Sequence, residues 1–232
     1  MMIGSKLSIK DSRFHIVTDA GDAQLTATSL NVVIVGANPR LSKVWYAGDY
    51  TVDRESSTPD CFSLNGETPS DRSELKQNDL CASCPQNAWG SKITPEGRKV
   101  KACADQKRLA LVMADKTDGD IYLLQVTPSS LGNLNAYQKT LQTRGIAPDI
   151  AITTISFDTN VSFPKLKFSF GGFNTEKMQR NVDKLIGTDN VKVITGEVAV
   201  VSGQTPTASD FGFTEEVGFN QTEHELGGSN GK

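Results

Sequence analysis

The chain contains only four cysteines, and their spacing sets the tightest limit on its fold. They lie at Cys61, Cys81, Cys84 and Cys103, so one close Cys-x-x-Cys pair is accompanied by two distant single cysteines. A close pair presents two thiolates to one ion from a tight turn, and two further thiolates complete the four ligands of a closed zinc site, with bonds of about 2.3 Å. The spacing therefore predicts one structural Zn²⁺ ion held by all four cysteines.

The cysteines fall in a segment of low hydrophobicity, residues 48–107, which is rich in Ser, Asp, Asn, Gly and Pro. A bare loop of that length is improbable inside a compact domain. A bound metal removes the difficulty, because metal binding supplies folding free energy on the order of 10 kcal/mol in isolated zinc fingers. We therefore expect residues 48–107 to be a metal-binding insertion in a larger domain.

The four cysteines are also compatible with alternative roles, including that of unrelated free thiols. Two disulfides would need an oxidising compartment, whereas residues 1–6 become polar before they could build the apolar core of a secretory signal. A redox-active pair at Cys81 and Cys84 would need a βαβ context and would leave the remaining two cysteines without a role. An iron–sulfur cluster also takes four cysteines. If four sulfurs fill the coordination sphere, the metal is structural and not catalytic.

The rest of the chain reads as a β-rich α+β domain over residues 1–202. Runs of aliphatic and β-branched residues predict strands at 30–35, 43–46, 108–113, 121–126, 150–157, 166–170 and 191–201. Apolar residues three and four positions apart predict helices at 129–144 and 174–186. Gly145 and Gly187 are expected to end these helices, and Ser129 is expected to cap the first of them.

Hydropathy and charge limit the partners that the chain can have. The longest apolar runs, at 30–35 and 121–124, fall far short of the roughly 20 residues of a membrane-spanning helix, so no membrane contact is predicted. Residues 203–232 are Gly-, Thr- and Ser-rich and carry five acidic residues against Lys232 alone, which predicts a disordered acidic tail. Of the net charge of −3, the tail contributes −4 and residues 1–202 about +1, so any basic surface of residues 1–202 must be local.

A basic cluster that contains an aromatic ring follows the close cysteine pair. Between residues 85 and 108, six basic residues stand against two acidic ones, and Trp89 lies among them. Basic side chains contact phosphates, and an exposed indole offers a stacking face worth roughly 1–3 kcal/mol per base. Residues 40–46 form a second cluster, in which adjacent rings on a strand point to opposite faces. The predicted nucleic-acid contacts are Lys43, Trp45, Tyr46, Trp89, Lys92, Arg98, Lys99 and Lys101.

Each aromatic cluster is also compatible with a purely structural role. Trp89 could equally form the small apolar core of a metal-binding module, and only one of Trp45 and Tyr46 is expected to face a ligand. A third cluster at 165–170 alternates polar and apolar residues, as does any strand with one solvated face. The sequence contains none of the phosphate-binding, dinucleotide-binding, nucleophile-elbow or zinc-protease motifs. We therefore predict a binding protein and not an enzyme.

The blocks around the cysteines read CFSLNG at 61–66, CASCPQNAWGS at 81–91, KAC at 101–103 and KRLAL at 107–111. Together with the later strand–helix–strand order and the acidic tail, these blocks resemble the single-stranded DNA-binding proteins of bacteriophages. The resemblance implies an oligonucleotide/oligosaccharide-binding (OB) fold, a curled five-stranded barrel that holds single-stranded nucleic acid on its surface. Residues 48–107 would be a zinc-binding insertion in that barrel, and the helices would be additions to it.

The same resemblance implies a function. The protein would coat and protect single-stranded DNA without sequence specificity during phage replication or recombination, in the cytoplasm of the infected bacterial host. Separately from the resemblance, residues 210–219 of the tail set three phenylalanines among acidic residues, and we expect them to offer these rings to other replication proteins. An alternative is a zinc-containing annealing or regulatory protein that binds duplex nucleic acid or a protein partner. A third class, a metal-dependent nuclease, would cut DNA when magnesium or manganese is supplied.

Overall fold

The computed structural model describes residues 5–18, 21–48, 59–95 and 97–198, which form twelve strands and three α-helices. The strands are β1 (Lys6–Lys10), β2 (Arg13–Thr18), β3 (Gly21–Ala27), β4 (Ser29–Ala37), β5 (Ser42–Trp45), β6 (Cys61–Ser63), β7 (Lys92–Ile93), β8 (Lys99–Val100), β9 (Ala104–Met113), β10 (Tyr122–Val126), β11 (Ala151–Phe157) and β12 (Leu166–Phe173). The helices are α1 (Pro128–Thr143), α2 (Glu176–Asp183) and α3 (Asp189–Thr195). The chain thus has a strand-rich, mixed α+β fold, as predicted.

One curled sheet contains ten of these strands. Eight follow the order β12-β11-β4-β9-β10-β1-β2-β3, and β5 joins the sheet through β9 and pairs with β6. The sheet bends back on itself, because the rings of Phe14 on β2 and Phe157 on β11 lie 4.6 Å apart although four strands separate them in the sheet. The result is a half-barrel. No separate five-stranded barrel stands apart from the rest of this ten-stranded sheet in the described residues, so the OB fold stays a prediction.

The central strands β4, β9 and β10 are covered on both faces. Val32 and Leu109 point into the core inside the curl, whereas their neighbours Val33 and Ala110 belong to a second core beneath α2 and α3. Alternate side chains of one strand point to opposite faces of a sheet. Burial on both faces therefore accounts for the continuous apolar runs at 30–35 and 108–113.

Helix α1 confirms the helix predicted at 129–144. Its buried residues are Ser130, Leu134, Tyr137 and Leu141. Gly145 follows the helix with a φ of +66°, the left-handed conformation expected there. The predicted cap is wrong by two residues, because Thr127 occupies the N-cap position and Ser129 lies within the first turn. Pro128 fixes the earlier start, since its constrained φ suits the first helical position.

The second predicted helix, at 174–186, is shorter in the structure. Helix α2 spans Glu176–Asp183, and its N-cap Thr175 accepts a hydrogen bond from the Met178 N–H at 3.3 Å. Gly187 has a φ of +72°, which agrees with the predicted stop. The helix is therefore present, and only its ends differ from the prediction.

The strand predicted at 191–201 is wrong over its described part, because residues 189–195 form helix α3. The hydroxyl of Thr188 accepts a hydrogen bond from the Val191 N–H at 3.4 Å, and Gly196 ends the helix with a φ of +79°. Val191, Ile194 and Thr195 form one buried face at helical spacing. β-Branched residues are only slightly unfavourable in helices, so caps and packing outweigh their preference for strands.

The remaining six predicted strands are present as β4, β5, β9, β10, β11 and β12. The patterns did not indicate β1 to β3 or the short β6, β7 and β8. The predicted insertion at 48–107, described from residue 59 onward, provides β6, the β7–β8 hairpin and the first residues of β9. The tail predicted at 203–232 lies outside the described residues. No helix in the described ranges is both long and apolar enough to cross a membrane.

Candidate metal centre and nucleic-acid interface

Strands β5, β6 and β9 position the two outer cysteines. Cys61 is the first residue of β6 and pairs with Trp45 on β5, and Lys43 on β5 pairs with Asp105 on β9. Because side chains alternate along a strand, Cys61 lies on the same face as Lys43 and Asp105. Cys103 immediately precedes β9 and lines the same cavity as Cys61 and Lys43. The opposite face is apolar and holds a small core made of Val44, Phe62, Leu64 and Ala104.

Hydrogen bonds hold the close cysteine pair, Cys81 and Cys84, beside the cysteine-bearing face of these strands. The Cys84 N–H donates to the Cys81 carbonyl at 3.4 Å across a 3-10 turn, Cys81–Ser83. The Cys103 N–H donates to the Gln86 carbonyl at 2.8 Å, and the side-chain amide of Asn87 donates to the Cys81 carbonyl at 2.9 Å. The turn that contains the pair is thereby joined to the start of β9.

All four cysteines line one cavity, and Lys43 and Trp45 also line it. The described chain contains all four as free thiols; Cys61, Cys81 and Cys103 are buried, and Cys84 is half-buried. Four converging sulfurs are the donor set of structural zinc, and they also suit an iron–sulfur cluster. In their present positions, however, the His, Cys, Asp and Glu side chains of the described ranges do not form any group of three or more that could hold a metal ion.

The shared cavity favours a metal site, whereas the missing ready-made ligand group does not. The side chain of a cysteine has a single torsion, and rotation about it moves the sulfur while the backbone stays in place. The backbone around the shared cavity can therefore hold a metal once the sulfurs rotate toward it. The cysteines thus fit a structural metal in kind and number, and their sulfurs would have to turn toward one another to bind it. Such a metal would tie the close pair to the sheet.

Burial raises the pKa of two cavity thiols, Cys81 and Cys103. The pKa of Cys103 rises to about 12 for this reason, and the pKa of Cys81 is raised by burial as well. The ammonium of Lys43 opposes the rise at both thiols, and a hydrogen bond with Ser63 also opposes it at Cys81. Metal binding would displace the thiol protons and leave thiolates. A nearby positive charge stabilises thiolates and therefore favours metal binding.

A half-buried ion-pair network lies beside the cavity. The Lys43 ammonium donates to Asp105 Oδ1 at 2.5 Å and to Asn87 Oδ1 at 2.9 Å. Lys101 donates to Asp105 Oδ2 at 2.8 Å and to Asn87 Oδ1 at 3.3 Å. Burial acts to raise the pKa of Asp105, but the hydrogen bonds and charges of Lys101 and Lys43 hold that pKa below its ordinary value. Two of the predicted DNA contacts, Lys43 and Lys101, therefore lie in this network.

The hairpin β7–β8 presents the remaining basic residues. Ile93 pairs with Lys99 across the hairpin, so their side chains share one face. Backbone hydrogen bonds from Gly90 to Val100 at 3.1 Å and from Thr94 to Arg98 at 2.9 Å hold its two ends. The side chains of Lys92, Ile93, Arg98 and Lys99 are exposed. The hairpin is therefore a basic surface with an apolar residue beside it.

Trp89 lies at the base of this hairpin and is 72% exposed. That exposure rules out the alternative in which Trp89 forms the core of the metal-binding segment. The next residue, Gly90, has a φ of +84°, and a Cβ at that position would lie 3.6 Å from Lys99 Cδ. The hydroxyl of Ser91 donates to the Gln86 carbonyl at 2.9 Å and so fixes the hairpin base to the turn that follows the close cysteine pair.

The second aromatic cluster is less accessible. Trp45 and Tyr46 are both half-buried, and Trp45 lines the cysteine cavity. Burial and the neighbouring Asp60 carboxylate raise the pKa of Tyr46 far above its ordinary value. In the third cluster, Phe168 packs against the cores beside α1, and Lys167 forms an ion pair with Asp158 at 2.9 Å. That arrangement agrees with an ordinary strand that has one solvated face.

Three residues of this region were not singled out by the sequence patterns: Asn87, Asp105 and Ile93. Asn87 lies within the CASCPQNAWGS block, but its contacts with Lys43 join residues 44 positions apart. Asp105 counted only as one charge in the basic stretch. Strand register, which pairs Lys43 with Asp105 and Ile93 with Lys99, is the information that sequence spacing does not contain.

Comparison with known proteins identifies no relative of this chain. No protein-family model, curated protein or solved structure matches it.

Proposed function

We propose that this chain is a non-enzymatic protein that binds single-stranded DNA, with a structural zinc ion held by Cys61, Cys81, Cys84 and Cys103. The observation that carries the proposal is Trp89, an indole that is 72% exposed at the base of a basic hairpin. An exposed indole offers a stacking face to a base, and the cations beside it can contact phosphates. A nucleobase with its phosphates matches both features.

The mechanism combines base stacking with phosphate contacts. Trp89 would stack on a base, and Lys92, Arg98 and Lys99 would contact the backbone of the strand. Neither contact reads a base edge, so binding would tolerate any sequence. Bases in a duplex are already stacked on each other, so a stacking residue favours the single strand.

The zinc ion would be structural. The four-cysteine segment, described over residues 59–95 and 97–107, has few buried apolar side chains in those ranges beyond three of its cysteines and Phe62, which packs on Val44. Segments with so little apolar burial are held by metals or disulfides in small protein modules. Four sulfur ligands leave no open coordination position, so the metal would supply folding energy and would not activate water.

The setting of this activity follows from the resemblance of the cysteine blocks to the single-stranded DNA-binding proteins of bacteriophages. It supports a role in coating and protecting DNA during phage replication or recombination, in the cytoplasm of the host cell. The acidic residues of 203–232 would then be available to contact other replication proteins, as charged tails commonly do.

A second candidate is a zinc-containing regulatory or annealing protein with a protein partner. It is favoured by Leu75 and Leu80, which are 49% and 54% exposed in the same segment. Exposed leucines are common on protein surfaces, so this observation is weaker than the one at Trp89.

Titration of single-stranded and duplex oligonucleotides of one sequence, at several salt concentrations, tests the proposal. We expect tighter binding of the single strand at every salt concentration, with a linear fall of log affinity against log salt. Tighter duplex binding would support the regulatory candidate instead. Cleavage of either DNA on addition of magnesium or manganese would contradict a non-enzymatic role.

A further inference from the structure

Lys43 is placed for a different task from the hairpin lysines. Its side chain is only 11% exposed, whereas Lys99 is exposed on the hairpin. Its ammonium is held between Asp105 at 2.5 Å and Asn87 at 2.9 Å. A lysine with so little exposure and two fixed partners would have to leave both of them to reach a phosphate.

The charges around the cavity indicate what this lysine can do. Four thiolates bound to one divalent ion carry a net charge of −2. Lys43 and Lys101 with Asp105 form a cluster of net charge +1 beside that site. An uncompensated charge in a largely buried site is costly, and a fixed opposite charge reduces the cost.

Asn87 connects this cluster to the close cysteine pair. Its Oδ1 accepts hydrogen bonds from Lys43 and Lys101, and its Nδ2 donates to the Cys81 carbonyl at 2.9 Å. The same side chain therefore sets the position of the Lys43 ammonium and of the turn that carries Cys81. Outer partners of this kind orient the ligands of a metal site and tune its affinity.

We propose that Lys43 is a positioning residue of the metal centre, whose ammonium, fixed by Asp105 and Asn87, offsets the negative charge of the four thiolates. It is not a phosphate contact. This role rests on the proposed zinc site and is independent of DNA binding.

The test compares variants of Lys43 that separate the effect of its charge from the effect of its packing. Zinc affinity is measured on the full chain by competition with a chromophoric chelator. Lys43→Met keeps the length of the side chain and removes the charge, and we expect zinc affinity to fall about 10- to 100-fold. Lys43→Arg keeps the charge and should retain most of the affinity. Lys99→Gln, which removes a charge from the hairpin, is the matched control and should leave zinc affinity unchanged.

Packing alone would give the reverse order, with Lys43→Met close to the unaltered protein and Lys43→Arg impaired, and that result would overturn the proposal. If Lys43→Met fails to fold, Lys43→Gln supplies the uncharged variant, since its amide can still contact Asp105 and Asn87. With zinc saturating, the salt dependence of single-strand binding should be unchanged by removal of the Lys43 charge. A slope reduced as much as in Lys99→Gln would show that Lys43 contacts phosphate and would also overturn the proposal.

The unaltered protein separates this result from the zinc site itself. If it binds no zinc, both the metal site and the role of Lys43 are wrong, whatever the DNA titrations show. If it binds zinc with the same affinity as every Lys43 variant, only the role of Lys43 is wrong.

Discussion

At the scale of single residues, two lysines of similar sequence context have different surroundings. Lys43 is half-buried in an ion-pair network beside the cysteine cavity, and Lys99 projects from an exposed hairpin next to Gly90. Both belong to basic stretches with a neighbouring aromatic ring. Burial and hydrogen-bond partners, not local composition, therefore distinguish the surroundings of Lys43 from those of Lys99.

The exposed lysine gives a direct prediction. Lys99→Gln should lower the slope of log affinity against log salt for single-stranded DNA by about 0.7, the value for a single phosphate contact. Salt titrations of the two proteins measure the difference. Lys116→Gln is the control, because Lys116 is equally exposed but lies in the turn between β9 and β10. An unchanged slope in Lys99→Gln, or an equal change in the control, would move the DNA surface away from the hairpin.

Two glycines that follow helices allow a comparison of backbone strain and packing. Gly187 and Gly196 have φ values of +72° and +79°, but a Cβ would meet nothing within 4 Å at Gly187 and would lie 2.9 Å from Leu64 Cβ at Gly196. Ala at Gly187 should therefore cost only about 1 kcal/mol of unfolding free energy, from the left-handed conformation. Ala at Gly196 should cost more, because Leu64 must also move.

Urea unfolding of Gly187→Ala and Gly196→Ala measures both costs. Equal decreases in stability would mean that α3 does not pack against Leu64 of the four-cysteine segment. That packing joins the end of α3 to the residues that follow β6.

At the scale of elements, the sequence predicted those strands and helices in which the spacing of apolar residues follows the buried faces. The runs at 30–35 and 108–113 were recognisable because both faces of β4 and β9 are covered. Helix α3 was mistaken for a strand because its β-branched residues carry a strand preference, while Thr188 and Gly196 decide the outcome. The hairpin β7–β8 has two residues in each strand, too few to show any alternation.

The proposed metal ligands show the same division. Cys-x-x-Cys spacing predicted that the four cysteines share one ion; the structure places all four around one cavity, but no three of them form a ready ligand group in the described residues. Spacing could not show that Lys43 lies opposite Asp105, because that pairing depends on the register of β5 and β9. The zinc ion itself stays a prediction.

Replacement of one ligand tests the four-cysteine segment as an element. Cys84→Ser should lower the zinc content and the stability of the protein, because three thiolates close the site poorly. Elemental analysis and thermal unfolding provide the two measurements, with Ser83→Ala as a control at an exposed neighbour in the same turn. Retention of one zinc per chain by Cys84→Ser, or a total absence of zinc and iron from the unaltered protein, would contradict the proposed site.

At the scale of the whole molecule, the half-barrel and the four-cysteine segment are joined through shared strands. Strand β9 is central in the sheet and begins one residue after Cys103, and β5 pairs with both β9 and β6. The hairpin and Trp89 are thus held by the segment, and the segment is held by the sheet. A metal bound by the cysteines would fix the segment that carries Trp89 and would therefore fix the position of Trp89.

Whether Trp89 stacks on single-stranded DNA is decided by the binding of a labelled oligonucleotide to the unaltered protein and to Trp89→Ala, with the zinc content of both preparations measured. Because Trp89 is 72% exposed, its replacement should leave the fold and the zinc content unchanged. Removal of one stacking interaction should weaken binding roughly 5- to 150-fold, which corresponds to about 1–3 kcal/mol per base. Equal affinity of the two zinc-loaded proteins would contradict DNA binding through Trp89.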